Sequence, residues 1–171
     1  MAAQDSVWGN WMGAWKAEVG QVDVEQDRLS RAQAAFGGET LARMKDLNVM
    51  ILGCRGVGVE TAKNLILSNV GSVSVWDPAP ARVEDLGTNF YLSEASAGRP
   101  RAPECLAQLK SLNPYCKVEV LNCAEEGLVG LLAEANVLAT GKGYSVVVVT
   151  EMLPRKTLAA LNSATRASGI V

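Results

Sequence analysis

One short stretch, "LGCRGVG", Leu52 through Gly58, is the most chemically suggestive in the chain. It lies where an apolar run, "NVMILG", gives way to a helical pattern, "VGVETAKNLIL". A glycine-rich turn between a strand and a helix aims backbone N–H groups and the positive end of the helix dipole at an anion, so the stretch reads as a nucleotide-binding loop. Gly53 permits the tight turn, Gly56 is the second glycine of the set, and Gly58 lets the helix pack closely on the sheet. Asp77 ends the next apolar run, "SVSVWD", about 20 residues beyond the loop, where an acid accepts hydrogen bonds from a ribose. Arg55 breaks the pattern. It stands where the backbone must approach a pyrophosphate, and its Cβ and stem fill volume that a phosphate needs, although its charge would attract one. Sterics favour an emptied loop; a side chain swung outward would leave a working one.

No other constellation competes. The chain has no histidine, the commonest general base and metal ligand. Cys54, Cys105, Cys116 and Cys123 form no Cys-x-x-Cys pair, so no metal site is expected and the thiols read as buried or incidental. A formal charge of -2 gives no general attraction to nucleic acid or to an anionic membrane. No apolar run approaches the roughly 20 residues that span a bilayer. "MAAQDSVWGNWMGAWKAEV" lacks the basic and apolar regions of a signal peptide, so an intracellular location, cytoplasmic and nuclear, is expected.

The elements that must position the loop alternate. Residues 1–26 read as a leader, helical or disordered, with Trp8, Trp11 and Trp15 on one face if helical: an aromatic stripe packed on its own domain, or a docking face. "SRAQAAFGGETLARMKDL" reads as a helix broken near Gly37–Gly38, and "VGVETAKNLILSNVG" as a helix closed by Gly71. Strands are expected at "NVMILG", "SVSVWD", "KVEVL" and "SVVVVT", and further helices at "APECLAQLKSLN", "EEGLVGLLAEA" and "RKTLAALNSATRAS". Alternating strands and helices predict an α/β, Rossmann-like, doubly wound and mainly parallel sheet with helices on both faces over residues 27–171. "GIV" reads as the opening of another strand, so the domain is expected to be incomplete at its C-terminus.

The stretch "GCRGVGVETAKNLILSNVGSVSVWDPAPARVEDLGTNFYLSE" is more specific than the loop alone. With "LNPY" at Leu112–Tyr115 and "LSRAQAAFGGETLARMKDL" upstream, it resembles the ubiquitin-activating enzymes, in their N-terminal adenylation half, within the ThiF-like ATP-dependent adenylating superfamily. The likeness runs from about Leu29 to the last residue. It implies an enzyme built of two homologous halves, of which one keeps the Mg-ATP chemistry. The whole enzyme adenylates the C-terminus of ubiquitin or a ubiquitin-like modifier, then captures it as a thioester.

The same likeness implies that this chain is the non-catalytic half, with no catalytic residue and no bound cofactor or metal of its own. The active half has glycine at the position of Arg55. Its Asn-x-Asn-Arg-Gln-Phe block reads here Asp85-Leu86-Gly87-Thr88-Asn89-Phe90, so Thr88 replaces an arginine that would neutralise triphosphate charge. The active half's lysine near "GRPRA" could be replaced in charge only by Arg101 or Arg99, and Glu151 lies off register for its magnesium-holding aspartate. Ser30 and Arg31 match the family's Ser-Arg-Gln segment, with Ala32 in place of the glutamine. The resemblance implies that Arg31 reaches the partner half's ATP in trans across a pseudo-dimer. The SUMO-activating small subunit is a close alternative. An NAD(P)-binding domain of an oxidoreductase, using Gly53, Gly58 and Asp77, is a further one.

Overall fold

The computed structural model describes residues 23–134 and 143–171. The tryptophan stripe at Trp8, Trp11 and Trp15 lies outside them. The chain divides into two units, which meet in sequence between Leu41 and Ala42.

The first unit holds α1 (Val24–Phe36). Asp23 caps it: Oδ1 accepts the N–H groups of Glu25 at 3.0 Å and Gln26 at 3.3 Å. Glu25 and Asp27 add negative charge to the first turn, which complements the helix dipole. This cap starts the helix six positions before Ser30, where the apolar pattern alone placed its beginning. Gly37, at φ 83°, ends it, and α2 (Gly38–Lys45) follows, so the break lies where the paired glycines predict it.

The second unit is built from β1 (Asn48–Leu52), α3 (Gly56–Leu67), β2 (Ser72–Trp76), α4 (Arg101–Leu112), β3 (Lys117–Val120), α5 (Leu128–Glu134), β4 (Val146–Val149) and α6 (Arg155–Ser168). The four strands form one parallel sheet in the order β3-β2-β1-β4. Both central strands are buried along their whole length. Alternation sorts their side chains. Val49, Ile51, Val73 and Val75 pack with Val59, Ala62 and Ile66 of α3 and with Cys105 and Leu109 of α4. Met50, Leu52 and Trp76 join Leu128 and Leu132 of α5 and Leu161 of α6 in a second cluster. The sheet is therefore doubly wound, with helices on both faces.

The chain steps outward from β1 to β2 to β3, then returns to the far side of β1 as β4. That reversal opens a crevice at the carboxyl ends of β1 and β4, the place where such sheets take ligands. Beyond β4, Val171 N–H donates to Ser145 O at 3.1 Å and Val147 N–H donates to Val171 O at 2.7 Å, one parallel rung on the β4 edge. No described helix is long and apolar enough to cross a membrane.

One expected boundary moves. Helix α3 is closed at Ser68 and Asn69, the latter at φ 64°, and not at Gly71. Asparagine tolerates the left-handed region better than other side chains, so it supplies the stop that the glycine was expected to give. Gly71 serves contact instead, since a Cβ there would fall 2.4 Å from the Lys45 carbonyl.

Asn113 ties this end of α3 to the end of α4. Its Nδ2 donates to Ile66 O at 2.8 Å and to Asn69 Oδ1 at 3.0 Å, while its Oδ1 accepts the Tyr115 N–H at 3.0 Å. The residue is fully buried. Asn113→Ala leaves the Ile66 carbonyl without its side-chain donor, and a loss of about 1–3 kcal/mol is expected in urea unfolding. An unchanged urea midpoint would remove this tie from the fold's energetics.

Candidate functional site

The glycine loop leaves β1 and enters α3 at the crevice. Gly53 turns at φ 107°, a conformation open to glycine, and its N–H donates to Trp76 O at 2.8 Å. At Gly58 a Cβ would fall 2.1 Å from the Gly53 carbonyl oxygen, so the helix start rests directly on the turn. The loop's open side is walled by the chain itself. Thr88 covers Gly56, with its Cβ 3.0 Å and its carbonyl oxygen 3.1 Å from where a Gly56 Cβ would stand. Over Gly53 lie Thr150 and Glu151, and Thr150 Oγ1 donates within 3.1 Å of the carbonyls of Leu52 and Gly53.

At the centre stands Arg101, 1% exposed and the first residue of α4. Its Nε donates to Asp77 Oδ2 at 2.8 Å and its Nη2 to Asp77 Oδ1 at 3.2 Å, a bidentate pair. Its Nη1 donates to Asp85 Oδ2 at 3.0 Å, and its Nη2 also reaches Glu151 Oε2 at 3.2 Å. The acids come from the end of β2, from the turn at Val83–Gly87 and from the segment after β4. A cation in the first turn of a helix opposes the dipole. Here the surrounding carboxylates outweigh that cost. Burial pushes the Arg101 guanidinium down, but hydrogen bonds and charge from Asp77 and Asp85 hold its pKa above the ordinary value.

Asp77 has no acceptor to spare. Oδ2 also accepts the Cys54 N–H at 2.8 Å, and Oδ1 the Ala79 N–H at 3.0 Å. Four donors on two oxygens fill the lone-pair directions of a carboxylate, so a ribose hydroxyl would have to displace one of them. Asp85 Oδ2 accepts the Arg82 N–H at 2.9 Å. Burial acts to raise the Asp85 carboxyl, yet the Arg82 N–H, the Arg101 hydrogen bond and the charges of Arg101 and Arg55 together hold it below the usual carboxylate range.

Arg55 caps α3 in position only, without a side-chain cap bond, and its side chain is 47% exposed. Its Nε lies 3.6 Å from Asp85 Oδ1 and 3.8 Å from Glu151 Oε2. The stem therefore leans toward the carboxylates, and the group that stands against the loop's middle glycine is Thr88. The structure thus brings together Gly53, Arg55, Gly56, Gly58 and Asp77. Arg31 lies on α1 of the first unit, exposed. Sequence reasoning weighed Arg101 as a replacement charge and set Glu151 aside as off register. It missed that one guanidinium would gather Asp77, Asp85 and Glu151; the signal was an arginine at a helix start following two acids at strand and turn ends.

Asn89 fastens the covering block from below. It is fully buried, its Nδ2 donates to Cys54 O at 2.8 Å and to Cys105 Sγ at 3.4 Å, and its Oδ1 accepts the Tyr91 N–H at 3.0 Å. Among the described residues no group of His, Cys, Asp or Glu is arranged to hold a metal ion. Beside Asp77 runs a cleft of about 300 Å³, walled by Pro78, Pro103, Val120 and Cys123 among others.

The ThiF family model matches residues 29–149. Ubiquitin-activating enzyme E1 1 of Schizosaccharomyces pombe is 39% identical over 105 residues, 61% of this chain and 10% of that protein. Ubiquitin-like modifier-activating enzyme 1 of Homo sapiens is 37% identical over 98 residues, 57% of this chain and 9% of that protein. The chain thus spans about a tenth of the length of these relatives. Among solved structures, E. coli tRNA N6-threonylcarbamoyladenosine dehydratase, TcdA, in complex with AMP superposes with a TM-score of 0.72 at 21% identity, covering 86% of this chain and 57% of that one. That is a likeness of fold.

Two outcomes follow from the arginine cluster. Arg101→Met strands three partly or fully buried carboxylates, and a loss of about 3–5 kcal/mol in denaturant unfolding is expected; a loss below 1 kcal/mol would mean the cluster is energetically idle. Asp85 contributes stability that is present above its unfolded pKa and lost as pH falls through its depressed folded value, so the loss belongs below about pH 4. Urea midpoints measured from neutral pH down to 3 should fall in that range, and less steeply in Asp85→Asn.

Proposed function

The chain belongs to the ThiF family, and from that premise we propose that it is the non-catalytic adenylation half of an enzyme that activates ubiquitin or a ubiquitin-like modifier. Adenylation of the modifier's C-terminal carboxylate is the work of a partner half holding Mg-ATP, and thioester capture follows elsewhere in the assembly. This lobe supplies a rigid face of the pseudo-dimer in the cytoplasm and nucleus.

One observation carries the reading. The acid that would hold a ribose, Asp77, already accepts four internal donors, two of them from the buried Arg101. Thr88 against Gly56 adds to it, because a phosphate resting on the loop amides would compete for that space. The residues present do not fit a nucleotide on this lobe. Identity of 36–41% to ubiquitin-activating enzymes supports the ubiquitin-like substrate class. The solved relatives in complex with AMP and with ATP favour a second reading, a nucleotide bound at this loop.

Arg31 is the residue proposed to act outside the lobe. A guanidinium on phosphate oxygens is bidentate and stabilises transferring charge. In the complete enzyme, Arg31→Ala is expected to slow ATP–pyrophosphate exchange roughly ten- to a hundredfold, the worth of one charge-assisted hydrogen bond. Unchanged exchange would take Arg31 out of the mechanism. Calorimetric titration of this chain alone with Mg-ATP, and separately with NADH, is expected to give no saturable heat at millimolar ligand. One-to-one binding of ATP would overturn the non-catalytic assignment, and tight NADH binding would point to a redox domain.

A further inference from the structure

The sheet has two edges of different character. At β4 the Val171 rung continues it. At β3 no strand among the described residues pairs with the outer side. Lys117 N–H donates to Gly71 O at 3.1 Å and Leu121 N–H to Val75 O at 2.9 Å, so the odd-numbered residues direct their backbone groups at β2. The alternate residues of a parallel strand turn theirs the other way. Val118 and Val120 therefore present N–H and C=O to the free edge. Beside it runs a cleft of about 380 Å³ lined by Pro114, Cys116, Lys117, Val118 and Glu119, with Lys110 of α4 on its border.

The side chains alternate as well. Val118 and Val120 pack on the face of the sheet that α4 covers. Lys117 and Glu119 stand on the other face, where Lys117 Nζ lies 3.0 Å from Glu119 Oε2 and Ser74 Oγ donates to Glu119 Oε1 at 3.0 Å. Charge on an edge strand ordinarily deters a second strand, which would leave it unpaired. This strand carries both signs two residues apart, and so carries its own complement.

We propose that β3 is a self-association edge, at which a second copy of this chain pairs antiparallel about a two-fold axis through Val118. In that register each Val118 exchanges both backbone hydrogen bonds with Val118 of the second copy. Lys117 of one copy then stands opposite Glu119 of the other, twice over, in the closely spaced positions where Cβ atoms are about 5 Å apart. With the ion pair inside each strand, four charges alternate in sign around the axis. The neighbouring two-fold registers lack this match. An axis through Glu119 sets carboxylate against carboxylate, and one through Lys117 sets ammonium against ammonium. An axis through Val120 leaves Lys117 facing Cys123 and Glu119 facing Leu121. Charge therefore selects one register.

Such a contact is isologous, so it closes at two copies. It joins one short strand from each, and the dimer is expected to be weak, to dissociate on dilution and to loosen in salt. No residue of the glycine loop or of the arginine cluster takes part, so the edge pairs whether or not the adenylation reading holds.

Sedimentation equilibrium of the full chain, from micromolar to millimolar concentration, tests the proposal. The mass is expected to rise from one chain toward two and to stop there. Lys117→Glu and Glu119→Lys are each expected to stay at one chain mass, because both cross-strand pairs become like-charged. An equimolar mixture of the two variants is expected to regain the mass of two chains, since every pair is then opposite again. Urea unfolding checks that each variant is folded. Should Glu119→Lys fail to fold, Lys117→Glu and Val120→Pro, which removes an outward N–H that β2 does not use, must each return the monomer. A wild-type chain that stays monomeric at millimolar concentration would overturn the proposal. Assembly beyond two copies, a dimer that the single variants leave intact, or a mixture of folded variants that does not combine would do the same.

Discussion

One buried guanidinium organises the carboxyl end of this sheet. Arg101 draws in Asp77, Asp85 and Glu151, which arrive from the end of β2, from the turn that follows it and from the segment after β4. A charge this deep survives because each of its three guanidinium nitrogens meets a carboxylate, and the carboxylates survive because it is there. The backbone helps at the same point: Ala79 O accepts the Arg101 N–H at 3.0 Å, so the loop after β2 caps α4 while its acid holds the side chain. The glycine loop, the helix start and the connection after β4 are thereby locked to one centre, and the crevice of the topological switch point is filled from within.

Much of the scaffold was legible in the residues. Short runs rich in valine and other apolar residues, wholly apolar only in Val146–Val149, gave the parallel strands, and helical spacing with Gly37 as a breaker gave the interrupted first helices. The final helix, Arg155–Ser168, has the bounds its pattern suggested, because Pro154 and Gly169 punctuate it. The end of α3 was not legible. Gly71 drew attention as the stronger stop signal, but Asn69 took the left-handed position first and Asn113, distant in sequence, stabilised it.

The site was legible in its parts and not in its wiring. Gly53, Gly58 and Asp77 announce a strand–loop–helix turn through local spacing, and they are where that spacing puts them. Arg55 announced a steric obstacle, and the structure gives it a different posture, half exposed and turned toward Asp85 and Glu151. The closer occupant of the loop is Thr88, which sequence reasoning had noted only for the arginine it replaces. That the acids at 77, 85 and 151 share one partner depends on chain segments meeting across the sheet, and no local pattern carries such information. Asn89 is similar: read as one letter of a degenerate block, it proves to be the peg that holds the block to the loop.

Thr88 standing over Gly56 makes the closure of the lobe hard to undo. Exchanging Arg55 for glycine would clear one side chain and leave the overlying segment where it is, still pegged by Asn89. Freeing Asp77 would require Arg101 to go, and its departure would unseat two other acids at once. Clearing the space around the loop would thus take changes in three places, with each isolated step costing stability before any ligand could compensate.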